Sequence, residues 1–311
     1  MKKPRALQPG DQVAFLAPAS PLAQPTESEE YQAACEELRT FELRAFVDES
    51  VFQRAAYTAG SPEIRAGALR RAWMDPSVSA VIAARGGYGS MQLLPLLDPE
   101  VFGETAKAFI GYSDNTSLLS WLTLSCGVVT FHGPMVERRL SRGPAAYDRD
   151  TFVRCLCRPA PVGKIRHEQI EVIRSGEASG MLIGGTMTQL AASLGTPFAF
   201  DPPAGAVLFF DEVGERPYRI DRLYTQLEQA GVIARASALV FGEMPRCDEP
   251  GGMLVIRDVI RTLTDGFHGP VLFGLPSGHT DGATLTLPFG VRARVVAGSD
   301  PALVIEESAV I

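Results

Sequence analysis

FIGYSDNTSLL, residues 109–119, is the stretch on which the fold turns. An apolar run, KAFIG (107–111), ends in a Gly-Tyr-Ser-Asp turn and passes at once into a helix from 115. Ser and Asp are good helix N-caps, so the turn can be read as a cap alone. Strand, Gly-x-Ser-x, helix is also the setting of a nucleophile elbow, which would lift Ser113 above a sheet. Asn115 stands where that motif usually has its second glycine. Partners for the serine have to be sought elsewhere in the chain.

Outward from this stretch, short apolar runs alternate with amphipathic segments. QVAFLAP (12–18), LRAFV (43–47), SAVIAA (79–84), KAFIG and VVTF (128–131) read as strands. ESEEYQAACEELRTF (27–41), SPEIRAGALRRAWMD (61–75), 89–97 and the segment from 115 read as helices. SPEIRA carries a Ser cap with Pro at the first helical position. Strands apolar on both faces and separated by helices imply a parallel sheet covered on both sides. Ligands of such sheets bind beyond the carboxyl ends of the strands, where both RGGYG (85–89) and GYSD (111–114) fall.

From 136 to 170 the chain becomes charged and Pro-rich, in VERRLSRGPAAYDRD and RPAPVGKIRHEQ. This predicts residues 1–145 as one domain, 146–170 as a linker and 171–311 as a second domain. The second half mixes strands (EVIRSG, AVLFF, SALVFGEM, ARVVAG, ALVIEE) with helices near 186–195, 218–230 and 252–264. Its less regular order predicts a smaller, β-rich α+β unit.

The 311 residues are 46% hydrophobic, enough for two ordinary cores. A net charge of −7, with both signs mixed, argues against a nucleic-acid surface. MKKPRALQPGDQVAF lacks the apolar core of a signal peptide, and LLSWLTLSCGVVTF is too short and broken to span a bilayer. Five cysteines without a framework spacing fit a reducing cytoplasm, and Cys155-Leu-Cys157 has no second ligand pair to make a metal site.

A serine nucleophile needs a base, normally a histidine oriented by a carboxylate. There are four histidines. His167 lies in the charged connector, and His132 and His268 each sit in Phe-His-Gly-Pro, where a structural role is expected. His279 lies in LPSGHTDGATLTLPFG, a Gly-flanked loop leaving a strand, from which an imidazole could project into a cleft or bond a nearby carbonyl. The candidate carboxylates are Asp211 and Glu212, at the end of AVLFF; adjacent strand residues point to opposite sides, so only one can face a cleft. Glu215, Arg219, Asp221 and Arg222 read as exposed helix pairs of little energetic weight. In RGGYG, the N–H of Gly86 or Gly87 could approach a phosphate or an oxyanion, with the Asp114 amide as a second donor. Arg85 could clamp a carboxylate or form a structural ion pair, and Tyr88 is a further candidate contact. Neither nucleotide-binding fingerprint is present.

Taken together and in order, RGGYGSMQLLPLLD, FIGYSDNTSLL, FHGPM, IGGTMTQLAASLGTPF, FFDEVGERPYRIDR and LPSGHTDGATLTLPFG resemble the LD-carboxypeptidases (muramoyltetrapeptide carboxypeptidases), a serine peptidase family that includes microcin-immunity enzymes. The likeness runs from GDQVAFLAPAS at 10–20 to the final strands. It implies a Rossmann- or flavodoxin-like parallel-sheet domain, a smaller β-rich domain and an active site between them. The nucleophile falls on Ser113 and the base on His279. The acid falls on Asp211, where the family normally has Glu, with Glu212 as the fallback; strand register favours Asp211. Thr186-Met187 also departs from the family's Asn-Leu. The implied reaction releases terminal D-alanine from an L-configured diaminopimelate or lysine in murein tetrapeptides, as in peptidoglycan recycling. It uses neither metal nor cofactor, in a cytoplasmic homodimer. Alternatives are a microcin-immunity-like hydrolase of peptidyl or aminoacyl nucleotides and a non-catalytic protein binding a sugar phosphate or nucleotide. VGERPYRIDR looks more like the recycling branch.

Overall fold

The computed structural model describes residues 1–22 and 29–311. Strands β1 (Gln12–Leu16), β2 (Arg44–Val47), β3 (Val78–Ala83), β4 (Ala108–Gly111) and β5 (Thr130–His132) alternate with helices α1 (Glu29–Arg39), α2 (Pro62–Met74), α3 (Pro99–Glu104) and α4 (Thr116–Leu124). The start expected for the first helix, at 27 and 28, lies outside the described residues. Ser61 caps α2 by accepting the Ile64 N–H, with Pro62 in the first turn, as the sequence implies. The segment at 89–97 forms a 3₁₀ helix (Ser90–Leu96) rather than an α-helix; Pro95 has no N–H for the α pattern.

The five strands are parallel in the order β2-β1-β3-β4-β5, a doubly wound arrangement of flavodoxin type. The order in which strands are added reverses at β1, and the loops leaving β1, β3 and β4 meet above this switch point, where Ser20 N–H donates to Gly86 O and Asn115 Nδ2 donates to Arg85 O.

The second half contains α5 (Arg149–Leu156), β6 (Pro161–Ile165), β7 (Glu171–Arg174), β8 (Gly176–Thr186), α6 (Met187–Ser193), β9 (Ala206–Asp211), α7 (Pro217–Gln229), β10 (Ala236–Gly242), α8 (Ile256–Leu263), β11 (Val271–Leu275), β12 (Leu287–Phe289), β13 (Arg292–Ala297) and β14 (Ala302–Ser308). Eight of these strands form one mixed sheet in the order β6-β14-β13-β8-β9-β10-β11-β7, parallel from β8 to β11. The long β8 escaped the sequence pattern because glycines at 176, 180, 184 and 185 dilute its apolar alternation.

Two observations modify the expected partition. Residues 146–170, expected as a linker, hold α5 and β6; Val162 and Ile165 turn inward from β6, which pairs with β14 at the sheet edge. Strand β12, from the second half, pairs antiparallel with β5 and completes the first sheet at six strands. Apolar residues from both halves share one core: Val207 and Phe209 of β9 belong to the same buried cluster as the first sheet. Leu208 and Phe210 face the opposite way, into a second cluster with Ile220 and Tyr224 of α7. This alternation along β9 settles where the next two residues point.

Candidate active site

The β4–α4 turn carries Ser113 in a left-handed conformation, φ 64°, which costs a non-glycine residue energy and marks a tightly determined turn. Asn115, in the place of the usual glycine, donates through Nδ2 to the carbonyl oxygens of Arg85 (3.1 Å) and Tyr112 (3.3 Å), tying the turn to the glycine loop. Asp114 accepts the Ser90 N–H at 2.8 Å, and the Ser90 hydroxyl donates to the Asp114 carbonyl at 2.5 Å. Gly86 leaves no room for a side chain: a Cβ there would lie 2.8 Å from Ser113 Cβ and 2.9 Å from its Oγ. The Gly loop is braced by Arg65, which no sequence motif marks. It is 2% exposed and donates to the carbonyl oxygens of Pro18, Gly60 and Gly89.

His279 arrives from the loop after β11. Its Nε2 lies 3.2 Å from Ser113 Oγ, although the two residues are 166 positions apart. Its Nδ1 lies 2.7 Å from Asp211 Oδ2, and Asp211 also accepts the His279 backbone N–H at 3.2 Å. A carboxylate on Nδ1 keeps the proton there and leaves Nε2 as the acceptor for the serine hydroxyl. Asp211 is fully buried and continues the Val207–Phe209 face of β9. Glu212 follows the other face and accepts the N–H (2.9 Å) and hydroxyl (2.8 Å) of Thr188 at the start of α6. Thr186 donates its hydroxyl to Asp211 Oδ2 at 3.4 Å. Gly278, φ 78°, leaves room for this meeting, since a Cβ would stand 2.5 Å from both Asp211 Oδ2 and His132 Cε1.

The electrostatics follow from burial and partners. Burial opposes charging of His279, but the charge and hydrogen bond of Asp211 outweigh it and raise the imidazole above its ordinary 6.5. Burial pushes Glu212 up to about 7, against the pull of its Thr188 bonds, and the nearby Asp211 charge adds to the rise. Burial lowers His132 to about 4, so it is neutral near pH 7; its Nδ1 meets Ser277 Oγ at 2.9 Å, in line with the structural role expected for it. His268 is exposed, and His167 accepts the Gln169 N–H at 3.4 Å.

Arg139 carries a role with no signal in the sequence. Its guanidinium donates to the carbonyl oxygens of Gly278 (3.0 Å), Thr280 (2.9 Å) and Gly282 (2.9 Å), clasping the His279 loop. It also donates to Ala146 O at 3.0 Å and to the Tyr112 hydroxyl at 3.3 Å. Tyr112 packs edge-on against the His279 ring, 5.1 Å between centroids. Arg85 Nε lies 3.0 Å from Glu137 Oε2, an ion pair by distance without hydrogen-bond alignment. Tyr88 is half exposed, stacks edge-on against Tyr57 and lines neither cavity beside Ser113.

Those two cavities meet at Tyr112, Arg138 and His279. One, about 140 Å³, holds Ser113, Gly86, Gly87 and Arg85; the other, about 440 Å³, runs along Arg142, Arg246 and the His279 loop. Among the described residues, no cluster of three or more His, Cys, Asp or Glu side chains is arranged to hold a metal ion, and no helix is long and apolar enough to cross a membrane. Cys155 is buried and Cys157 half-buried, both as free thiols.

The sequence matches two family models, the LD-carboxypeptidase N-terminal domain over residues 13–133 and the LD-carboxypeptidase C-terminal domain over 179–295. The chain belongs to the LD-carboxypeptidase family. The murein tetrapeptide carboxypeptidase of Pseudomonas aeruginosa is 32% identical over 282 residues, 88% of this chain and 89% of that one. The crystal structure of muramoyltetrapeptide carboxypeptidase from Oxalobacter formigenes superposes with a TM-score of 0.81 at 30% identity, covering 96% of this chain and 99% of its own. The microcin C7 self-immunity protein MccF, solved with aspartyl sulfamoyl adenosine, reaches a TM-score of 0.90 over 100% of both chains at 23% identity, a likeness of fold alone. The LD-carboxypeptidase fold expected from the sequence is therefore the fold observed, and the chain is of the serine peptidase class.

Proposed function

We propose that this LD-carboxypeptidase removes the terminal D-alanine from murein tetrapeptides, with Ser113 as nucleophile, His279 as general base and Asp211 as its orienting acid. The observation that carries the reading is the unbroken contact chain from Ser113 Oγ through the imidazole to Asp211. As Oγ attacks the carbonyl carbon, its proton passes to Nε2 of His279. The imidazolium is stabilised by Asp211 and then gives that proton to the amide nitrogen. The C–N bond breaks, D-alanine leaves as the amine, and an ester to Ser113 remains. Water, deprotonated in turn by His279, hydrolyses the ester and restores the hydroxyl. The amides of Asp114 and of Gly86 or Gly87 are assigned to the oxyanion, where each donor is worth about 2.7–4 kcal/mol of transition-state stabilisation. Glu212 is assigned no part in the reaction, because its carboxylate is held by Thr188.

Release of D-alanine from a murein tetrapeptide tests the reading. Wild-type protein is expected to release it, and Ser113→Ala to release none while keeping the same thermal transition. Turnover undiminished in Ser113→Ala ends the nucleophile assignment. Faster hydrolysis of an aminoacyl sulfamoyl-adenylate than of the tetrapeptide moves the substrate to the nucleotide class. A protein that hydrolyses neither and resists a serine-directed phosphonate is a binding protein.

A further inference from the structure

We infer that Arg138 holds the terminal carboxylate of the leaving D-alanine and thereby makes the enzyme an exopeptidase. This rests on the tetrapeptide reading and goes beyond it, since the reacting groups alone would cleave an internal amide as readily. Five arginines border the two cavities: Arg85, Arg138, Arg139, Arg142 and Arg246. Four are engaged. Arg85 faces Glu137 at 3.0 Å, Arg142 faces Glu30 at 3.9 Å and Arg246 faces Asp281 at 3.4 Å, while Arg139 is spent on backbone carbonyls. Arg138 alone among them has no ion pair or hydrogen bond to any described residue. It lies on the rim common to both cavities, beside Tyr112 and His279, and its backbone is held at φ 64°. An uncompensated guanidinium in a left-handed loop position is a feature the fold does not need for its own stability.

The substrate's geometry asks for such a cation. In a peptidyl-D-alanine the terminal carboxylate is two bonds beyond the scissile nitrogen, so its counter-charge has to stand on the leaving-group side, within the same recess as Ser113. The 140 Å³ cavity suits a single alanyl residue, and the 440 Å³ cavity beyond His279 suits the rest of the peptide. A planar guanidinium binds a carboxylate through two parallel N–H···O bonds, which a neutral carboxamide cannot accept in kind.

The test compares a murein tetrapeptide with its C-terminal carboxamide on wild type, Arg138→Met and Arg138→Lys. Wild type is expected to prefer the free acid by about a hundredfold in kcat/KM, the scale of losing a charge-assisted pair at a site open to water. Arg138→Met should erase that preference, mostly through KM, leaving carboxamide turnover within about threefold and phosphonate inactivation of Ser113 unchanged. Arg138→Lys should keep part of it. Equal losses on acid and carboxamide, or no loss on the acid, overturn the clamp while leaving the peptidase reading intact. A wild type that releases no D-alanine from the tetrapeptide overturns both.

Discussion

On the first sheet Ser113 is fixed mainly by main chain: a strained φ and a glycine loop that leaves no room for a side chain, with the Asn115 side chain bonded to two carbonyls. On the second sheet His279 is fixed by side chains reaching in from elsewhere: Asp211 at Nδ1, and Arg139 across the first-half boundary onto three carbonyl oxygens of its loop. The proposed nucleophile's position is thus built within the first sheet, from loops 30 residues apart or less, whereas the proposed base's position is built from contacts that span 68 residues or more. Rigid backbone suits the group that must strike one trajectory; a ring that accepts and returns a proton tolerates a loop positioned by adjustable partners.

Substitutions separate the two kinds of support. Asp211→Asn should lower kcat by about 10⁴, the order seen when a triad carboxylate loses its charge and the ring takes the wrong tautomer. The same change has a pH signature. In the proposed mechanism the free imidazole is the active form, so the acid limb of kcat/KM in the wild type should lie above pH 6.5, where Asp211 has raised the ring. In Asp211→Asn that limb should move down; an unmoved limb would show that another group titrates. Gly86→Ala attacks the main-chain side. The added methyl has to displace Ser113, and a loss of about 10² in kcat is expected from a misplacement on the ångström scale, with the His279 limb unchanged.

Arg139→Met should cost less, about tenfold in kcat or ~1.4 kcal/mol, because the loop keeps its own Gly278 N–H to Thr284 and Asp211 contacts. Partial recovery in Arg139→Lys would match a donor to several carbonyls, and full activity in Arg139→Met would remove the clasp from the account. Glu212→Gln should leave turnover nearly unchanged and alter stability instead. A carboxyl raised from 4.5 to about 7 by burial favours the folded state fully only below pH 4.5, and that contribution is lost as pH climbs through 7. Wild-type thermal stability should therefore carry a decline between pH 4.5 and 7 that Glu212→Gln lacks, measured by melting temperature across that range.

Much of this was legible in the letters. The apolar runs before RGGYG and GYSD are parallel strands, and both loops stand at carboxyl ends, because a strand buried on two faces has few other places to end. The alternation along AVLFFDE by itself assigns Asp211 and Glu212 to opposite sides. Other features left weaker traces. The glycines of β8 hide a strand whose hydrogen bonds, not its side chains, define it. The stretch 146–170 reads as connector because it is rich in charge and proline, yet Val162 and Ile165 of β6 join the core. Arg65 and Arg139 bond carbonyls, which every residue possesses, so no motif announces them.

The sequence by itself determined the parallel strands of the first sheet and the turn that presents Ser113, which depend on neighbours one to four residues apart. Only the tertiary structure decided that His279, rather than another histidine, meets that serine, and that Arg138, of the five arginines beside the cavities, is the one with neither an ion pair nor a hydrogen bond to a described residue. Those outcomes depend on distances between segments far apart in the chain, and electrostatic pairing is a property of separation in space that no local pattern encodes.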